Sequence, residues 1–114
     1  MTQDPNDNSL YTVASTERVT LSLQSVQCNC LTSAGFDGQT LAKQSAAPDV
    51  YSFDVTGNSG DQKVFAGVCT FSPSNPPTAH YTVQVSGSLG GSFQASSVFK
   101  TLPAAAFQLF FTIA

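Results

Sequence analysis

The sequence predicts an all-β fold, an antiparallel β-sandwich of about eight short strands with jelly-roll or Greek-key connectivity. Three observations predict it. Apolar residues recur with a period of two, and no stretch carries a helical stripe. Clusters of Gly, Pro, Asn and Asp interrupt the apolar runs at roughly the 8–12-residue spacing of sandwich strands. The third is composition: 41% of residues are hydrophobic, nine are Phe and only 10% are charged. That is the opposite of the low-hydrophobicity, high-charge signature of disorder. With 114 residues, one domain can bury about two-thirds of its unfolded surface.

Each element follows from its residues. "MTQDPNDNS" (1–9) is polar, holds Pro5 and reads as a flexible arm, with neither the basic nor the apolar region of a signal peptide. Residues 10–114 form the single domain. "LYTVA" (10–14) suits a short first strand. In "ERVTLSLQ" (17–24), Val19, Leu21 and Leu23 alternate with polar residues as a half-buried strand does. Val26 breaks that phase and predicts a bulge near Ser25. "TSAGFDGQT" (32–40) carries turn chemistry in its Gly and Asp.

"VYSFDV" (50–55) sets Tyr51, Phe53 and Val55 on one face, and "TGNSGDQ" (56–62) is a hairpin-like turn. It feeds "KVFAGVCTF" (63–71), which is apolar on both faces and so predicts a central strand covered on both sides. "SPSNPPT" (72–78) lacks three N–H donors and must be a loop. "HYTVQVS" (80–86) turns Tyr81, Val83 and Val85 inward. "GSLGG" (87–91) reads as a flexible connection to "SFQASSVF" (92–99), and Pro103 precedes the closing run.

Charge and composition exclude several functions. The net charge is −3, and the four basic residues, Arg18, Lys43, Lys63 and Lys100, are scattered singly. No phosphate-tracking stripe exists, so no nucleic acid is expected as partner, and anionic membrane surfaces are disfavoured likewise. No apolar run reaches 18 residues, so no membrane insertion is expected. Ser and Thr make up about a quarter of the chain and supply its polar surface. That look predicts an extracellular or cell-surface location. No N-x-[ST] sequon occurs, while O-linked glycans on the hydroxyls stay open.

A catalytic constellation cannot be assembled. His80 is the only His and is expected to face solvent on an edge. "GNSGD" (57–61) lacks the frame and the strand–turn–helix context of a nucleophile elbow. Glu17 is the only Glu, and Asp37, Asp49, Asp54 and Asp61 read as turn formers rather than calcium ligands. "GSLGGS" (87–92) lacks the Lys of a phosphate loop. The reading is therefore no enzyme, with no catalytic, metal or cofactor site.

Three thiols remain, Cys28 and Cys30 in "CNC" and Cys69. Residues i and i+2 of an extended strand lie roughly 6.5–7 Å apart, at or beyond the disulfide limit. Pairing of Cys69 with Cys28 or Cys30 is the better bridge, closing a loop of about 40 residues worth roughly 4 kcal/mol. Free core thiols and a bond between protomers are the alternatives. Three Cys with His80 have zinc-ligand chemistry, but C-x-C is not a structural zinc spacing.

"VYSFDVTG" (50–57) and "YTVQVSGSLGGSF" (81–93) resemble strands of bacterial pre-peptidase C-terminal domains, secreted β-sandwich modules usually fused to larger enzymes. The resemblance implies a secreted sandwich, and a binding module for polymer surfaces such as polysaccharide or collagen. It carries no site residue onto this chain.

The chain closes on "AAAFQLFFTIA" (104–114), its most apolar stretch. Phe107, Leu109, Phe111 and Ile113 face one way; Gln108, Phe110 and Thr112 face the other. Burying those four large side chains is worth about 6–10 kcal/mol, so the strand must dock. It either completes its own sandwich or adds to an edge of an identical subunit, which propagates head to tail. The expected function is a non-enzymatic structural subunit, assembling with identical subunits into an extracellular fibre or surface layer through strand and edge contacts. Phe107, Leu109, Phe110, Phe111 and Ile113 are the assembly strand.

Overall fold

Two β-sheets pack face to face in the computed structural model, which describes residues 1–28 and 30–114. Its strands are β1 (Thr2–Asp4), β2 (Asp7–Val13), β3 (Glu17–Val26), β4 (Thr32–Phe36), β5 (Gln39–Leu41) and β6 (Asp49–Val55). They continue with β7 (Gln62–Thr70), β8 (His80–Gly87), β9 (Ser92–Gln94), β10 (Val98–Phe99) and β11 (Ala104–Ile113). One sheet runs β1-β2-β11-β7-β4-β5; the other runs β10-β8-β3-β6, with β9 also on β8. The strand alternation decides the core. Val19, Leu21 and Leu23 of β3, Tyr81, Val83 and Val85 of β8, and Tyr51, Phe53 and Val55 of β6 are all buried. The six-stranded sheet answers with Tyr11, Phe36, Phe65, Leu109, Phe111 and Ile113.

Aromatic rings form the middle of that core. Phe53 stacks on Phe36 at 4.0 Å between centroids and meets Phe65 at 5.7 Å. Phe111 stacks on Tyr11 at 5.2 Å and presents its edge geometry to Phe53 at 5.4 Å. Such stacked and edge-on pairs add about 0.5–1.5 kcal/mol beyond the area they bury.

The chain departs from its sequence pattern in three places. Residues 1–9 are no flexible arm: β1 and the start of β2 form a hairpin. Asp4 Oδ1 accepts the Asn6 N–H at 2.8 Å, so the polar run supplies turn chemistry. The hairpin is anchored at its start, where the Met1 ammonium sits 3.3 Å from Oε2 of the fully buried Glu17. Glu17 also accepts the Ala14 N–H at 3.0 Å and the Leu89 N–H at 3.4 Å. Gly87 makes room for this group, since a β-carbon there would collide with the Glu17 carboxylate. The 87–91 connection is therefore a cradle rather than a slack link.

The second departure is the bulge expected near Ser25. The ladder of β3 on β8 continues unbroken through Ser25↔Tyr81 and Val26↔His80, so Val26 simply faces outward. The third is 32–40, most of which is strand; the turn narrows to Asp37 and Gly38, with φ of 50° and 80°. Positive φ at both central residues is the requirement of a type I′ hairpin.

Phe111→Ala is expected to cost about 3–5 kcal/mol, because it opens a cavity among three aromatic partners, Tyr11, Phe36 and Phe53. The exposed Gln108→Ala on the same strand should stay within about 0.5 kcal/mol. Urea unfolding of the two variants checks the contrast.

Candidate assembly surface

Strand β11 belongs to its own chain's sheet in this structure. It lies antiparallel to β7, from Ala104↔Thr70 to Thr112↔Gln62, and parallel to β2, from Phe110↔Leu10 to Ile113↔Val13. Leu109, Phe111 and Ile113 are buried. Phe107 is half-buried, with its ring over Gly67 and 5.9 Å from that of Phe65. A β-carbon at position 67 would run into the Phe107 ring, so this glycine is what admits the aromatic. Phe110 points to the outside.

That outside is the feature of interest. The register sets Leu10 beside Phe110, Phe110 beside Val64, Gln108 beside Ala66, and Ala106 beside Val68. Gly35 and Ser33 continue the rows beside Ala66 and Val68. None of these side chains carries a charge. A groove of about 640 Å³ runs between the β4–β5 hairpin and β7, with Gly35 and Ala66 in it and Ser33, Thr40, Val64 and Val68 along it. The charged residue at its border, Asp37, is paired with Lys63 at 3.3 Å. Strand β7 was expected to be covered on both sides. It is central, but the chain covers only its inner face, leaving Ala66 and Val68 exposed.

The outer face of the other sheet is different in kind. Arg18 pairs with Asp54 at 3.2 Å, Thr20 bonds Ser52 at 3.0 Å, and Gln24, Thr82, Gln84 and Ser86 complete a polar layer. The sheet edges are also guarded. β1, β5, β9 and β10 are two or three residues long. The longer edge β6 has the Val50 backbone taken by Gln44 and Ser45, and it carries the Asp54 charge. The open surface is a sheet face, not an edge.

The cysteines correct the expected pairing. Cys28 and Cys30 lie at disulfide distance, with α-carbons 5.4 Å apart. Strand β3 has ended at Val26, and the 5.4 Å span is shorter than the roughly 6.5–7 Å expected of an extended i, i+2 pair. Cys69 is unpaired and fully buried in β7. Burial, and then the nearby Asp49 charge, push its thiol up to about 12. Burial raises Tyr81 to about 12 as well, helped by Cys69, Asp49 and Tyr51.

The remaining polar candidates are held in structural roles. Thr32 donates to Asp49 Oδ2 at 2.5 Å and lies 2.8 Å from the Tyr51 hydroxyl, while Lys43 pairs with the same carboxylate oxygen at 3.2 Å. His80 is not on an edge: β8 has β3 on one side and β9 and β10 on the other. Its ring stacks on Phe99 at 4.9 Å, and its Nδ1 is 2.8 Å from the Thr78 carbonyl. Among the described residues, no group of three or more His, Cys, Asp or Glu side chains is placed to hold a metal, and no helix is long and apolar enough to cross a membrane.

Sequence reasoning named Phe110 but missed Val64, Ala66, Val68 and Leu10 as its companions. The signal was there in the double-sided apolar pattern of 63–71. Phe99, 56% exposed, was also missed, because its two-residue strand is too short to show alternation. Comparison with protein-family models, with curated proteins and with solved structures returns no match.

Two expectations follow for solution measurements. Reducing the Cys28–Cys30 pair should cost only roughly 1.5 kcal/mol, since the closed loop spans three residues; urea curves with and without reductant read this. Alkaline pH should act through Cys69 and Tyr81, whose ordinary values are 9.0 and 10.0. The folded groups hold their protons after the unfolded ones release theirs. Their contribution is thus complete below about pH 9 and is lost as pH rises toward 12. Urea midpoints should fall across that window, and Tyr81→Phe should shallow the slope.

Proposed function

We propose that the protein is a non-enzymatic structural subunit that self-assembles into an extracellular fibre or surface layer by burying the outer face of β7 and β11 between copies. The observation that supports this reading is the uncovered second face of β7. A strand apolar on both sides is built to be covered twice, and this chain supplies one cover. A specific interface needs about 1,000 Å² in total, or roughly 500 Å² per partner. Against a chain surface of 5908 Å² that is under a tenth, which one sheet face can provide.

Growth beyond a pair needs a second contact, and the ends of the molecule offer one. Leu31, Phe99 and Leu102 are exposed at the end where β7 finishes and β11 begins. Leu89 is exposed at the opposite end, beside the start of β3. A disulfide pair at Cys28–Cys30 accords with an oxidising, extracellular setting. Hydroxyl-rich surfaces leave O-linked glycans compatible with this reading. Because association would bury apolar strands with few ion pairs, assembly should change little between about 0.1 M and about 1 M salt, as the screening length falls from about 10 Å to about 3 Å. Negative-stain microscopy and sedimentation of the purified chain test this, and dispersed monomers at all concentrations would sink it.

One observation favours a second reading, a polymer-binding module of the pre-peptidase C-terminal kind. The exposed Phe99 ring, backed by His80, borders a flat layer of Ser, Thr and Gln on the five-stranded sheet. Co-sedimentation with insoluble polysaccharide or collagen separates the two, since a subunit of the first kind has no need to bind either.

A further inference from the structure

Resting on the reading of that sheet face as a self-association surface, we propose that two copies meet across it about a two-fold axis. The Phe110 ridge of each copy then seats in the Ala66 groove of the other. The relief of the face carries the first half of the argument. Phe110 and Leu10 stand side by side on β11 and β2 and form the raised part. Ala66 and Gly35 stand side by side on β7 and β4, with a methyl group and a hydrogen for side chains, and form the low part. Each copy therefore presents one projection and one recess on the same face. An isologous contact requires that self-complementarity, because residue i meets residue j and residue j meets residue i.

Charge carries the second half. In a two-fold contact any charge near the axis faces its own copy, and like charges brought together across an interface cost several kcal/mol. This face has none at its centre; of the charges at its borders, Asp37 is balanced by Lys63, and Asp4 lies on the N-terminal hairpin beyond Leu10, away from the Ala66 groove. A polar rim around an uncharged centre is the ordinary anatomy of an interface. Other occupants fit less well. Strands β7 and β4 are hydrogen-bonded to each other, so the groove offers an incoming peptide no free backbone ladder. An ionic partner would find no opposite charge in it. Sheets stack about 10 Å apart, a spacing that small side chains on one copy and a phenyl ring on the other can fill.

The test uses two variants of the full chain, Ala66→Glu and Phe110→Lys, with Thr82→Glu on the polar sheet as control. At concentrations below those that give larger assemblies, where the parent is expected to run as a dimer, sedimentation velocity of each variant alone should show half that mass, with an unchanged β-sheet circular dichroism spectrum. The control should associate as the parent does. Mixing the two variants should restore the dimer mass, because position 66 of one copy meets position 110 of the other, and the second pair of positions is unaltered. If Phe110→Lys loses its spectrum, Leu10→Lys replaces it on the ridge. Variants that dissociate but do not recover on mixing would overturn the ridge-in-groove register. Variants that still run as the dimer under those conditions would overturn the face as the contact while leaving self-assembly standing. A parent chain that is monomeric throughout would remove both readings together.

Discussion

The fold depends on the burial of one side of the last strand. Phe111 touches the core from the middle of its sheet, against Tyr11 at 5.2 Å, Phe53 at 5.4 Å and Phe36 at 6.3 Å. Those partners come from β2, β6 and β4, so a single ring ties both sheets together. The strand also carries topology. The N-terminal hairpin reaches the rest of its sheet only through β11, which separates β2 from β7. Without that strand, the six-stranded sheet would lose its middle and the core one wall.

The opposite side of the same strand has no such obligation, and there the chemistry changes. A chain with 10% charged residues must spend its few charges selectively. They lie in loops, near strand ends and on the five-stranded sheet, as with Arg18–Asp54 and Lys63–Asp37. The centre of the six-stranded face is left to Phe110, Val64, Ala66 and Val68. Edges that would invite backbone pairing are short or capped, so association by strand addition is discouraged while association by side chains is not. Such a face, set against a polar opposite face, is the asymmetry on which the proposed self-association rests.

Much of the molecule was legible in its residues, for a physical reason. Side chains of a strand alternate whatever the neighbouring strand is, so Val19, Leu21 and Leu23, or Tyr81, Val83 and Val85, announce which side is buried. The double-sided pattern of 63–71 likewise announced a central strand, although only its inner face is covered. Misreadings arose where a distant partner changed a local meaning. "MTQDPNDNS" is polar enough to float, yet Glu17 and residues 87–91 fasten its first residue. "CNC" looks unbridgeable only if it is extended, and Gln27 turns the chain just before it.

What the amino-acid order determined by itself was the β class, the inward set of side chains and the turns built by Asx, Gly and Pro, because each follows from geometry within a few residues. Tertiary structure alone decided that β11 lies between the first long strand and β7, that Glu17 is an anchor, and that Cys69 stands unpaired. Those outcomes rest on contacts between residues up to a hundred positions apart, such as Leu10 with Phe110, and no periodicity along the chain encodes which distant strand will win that place.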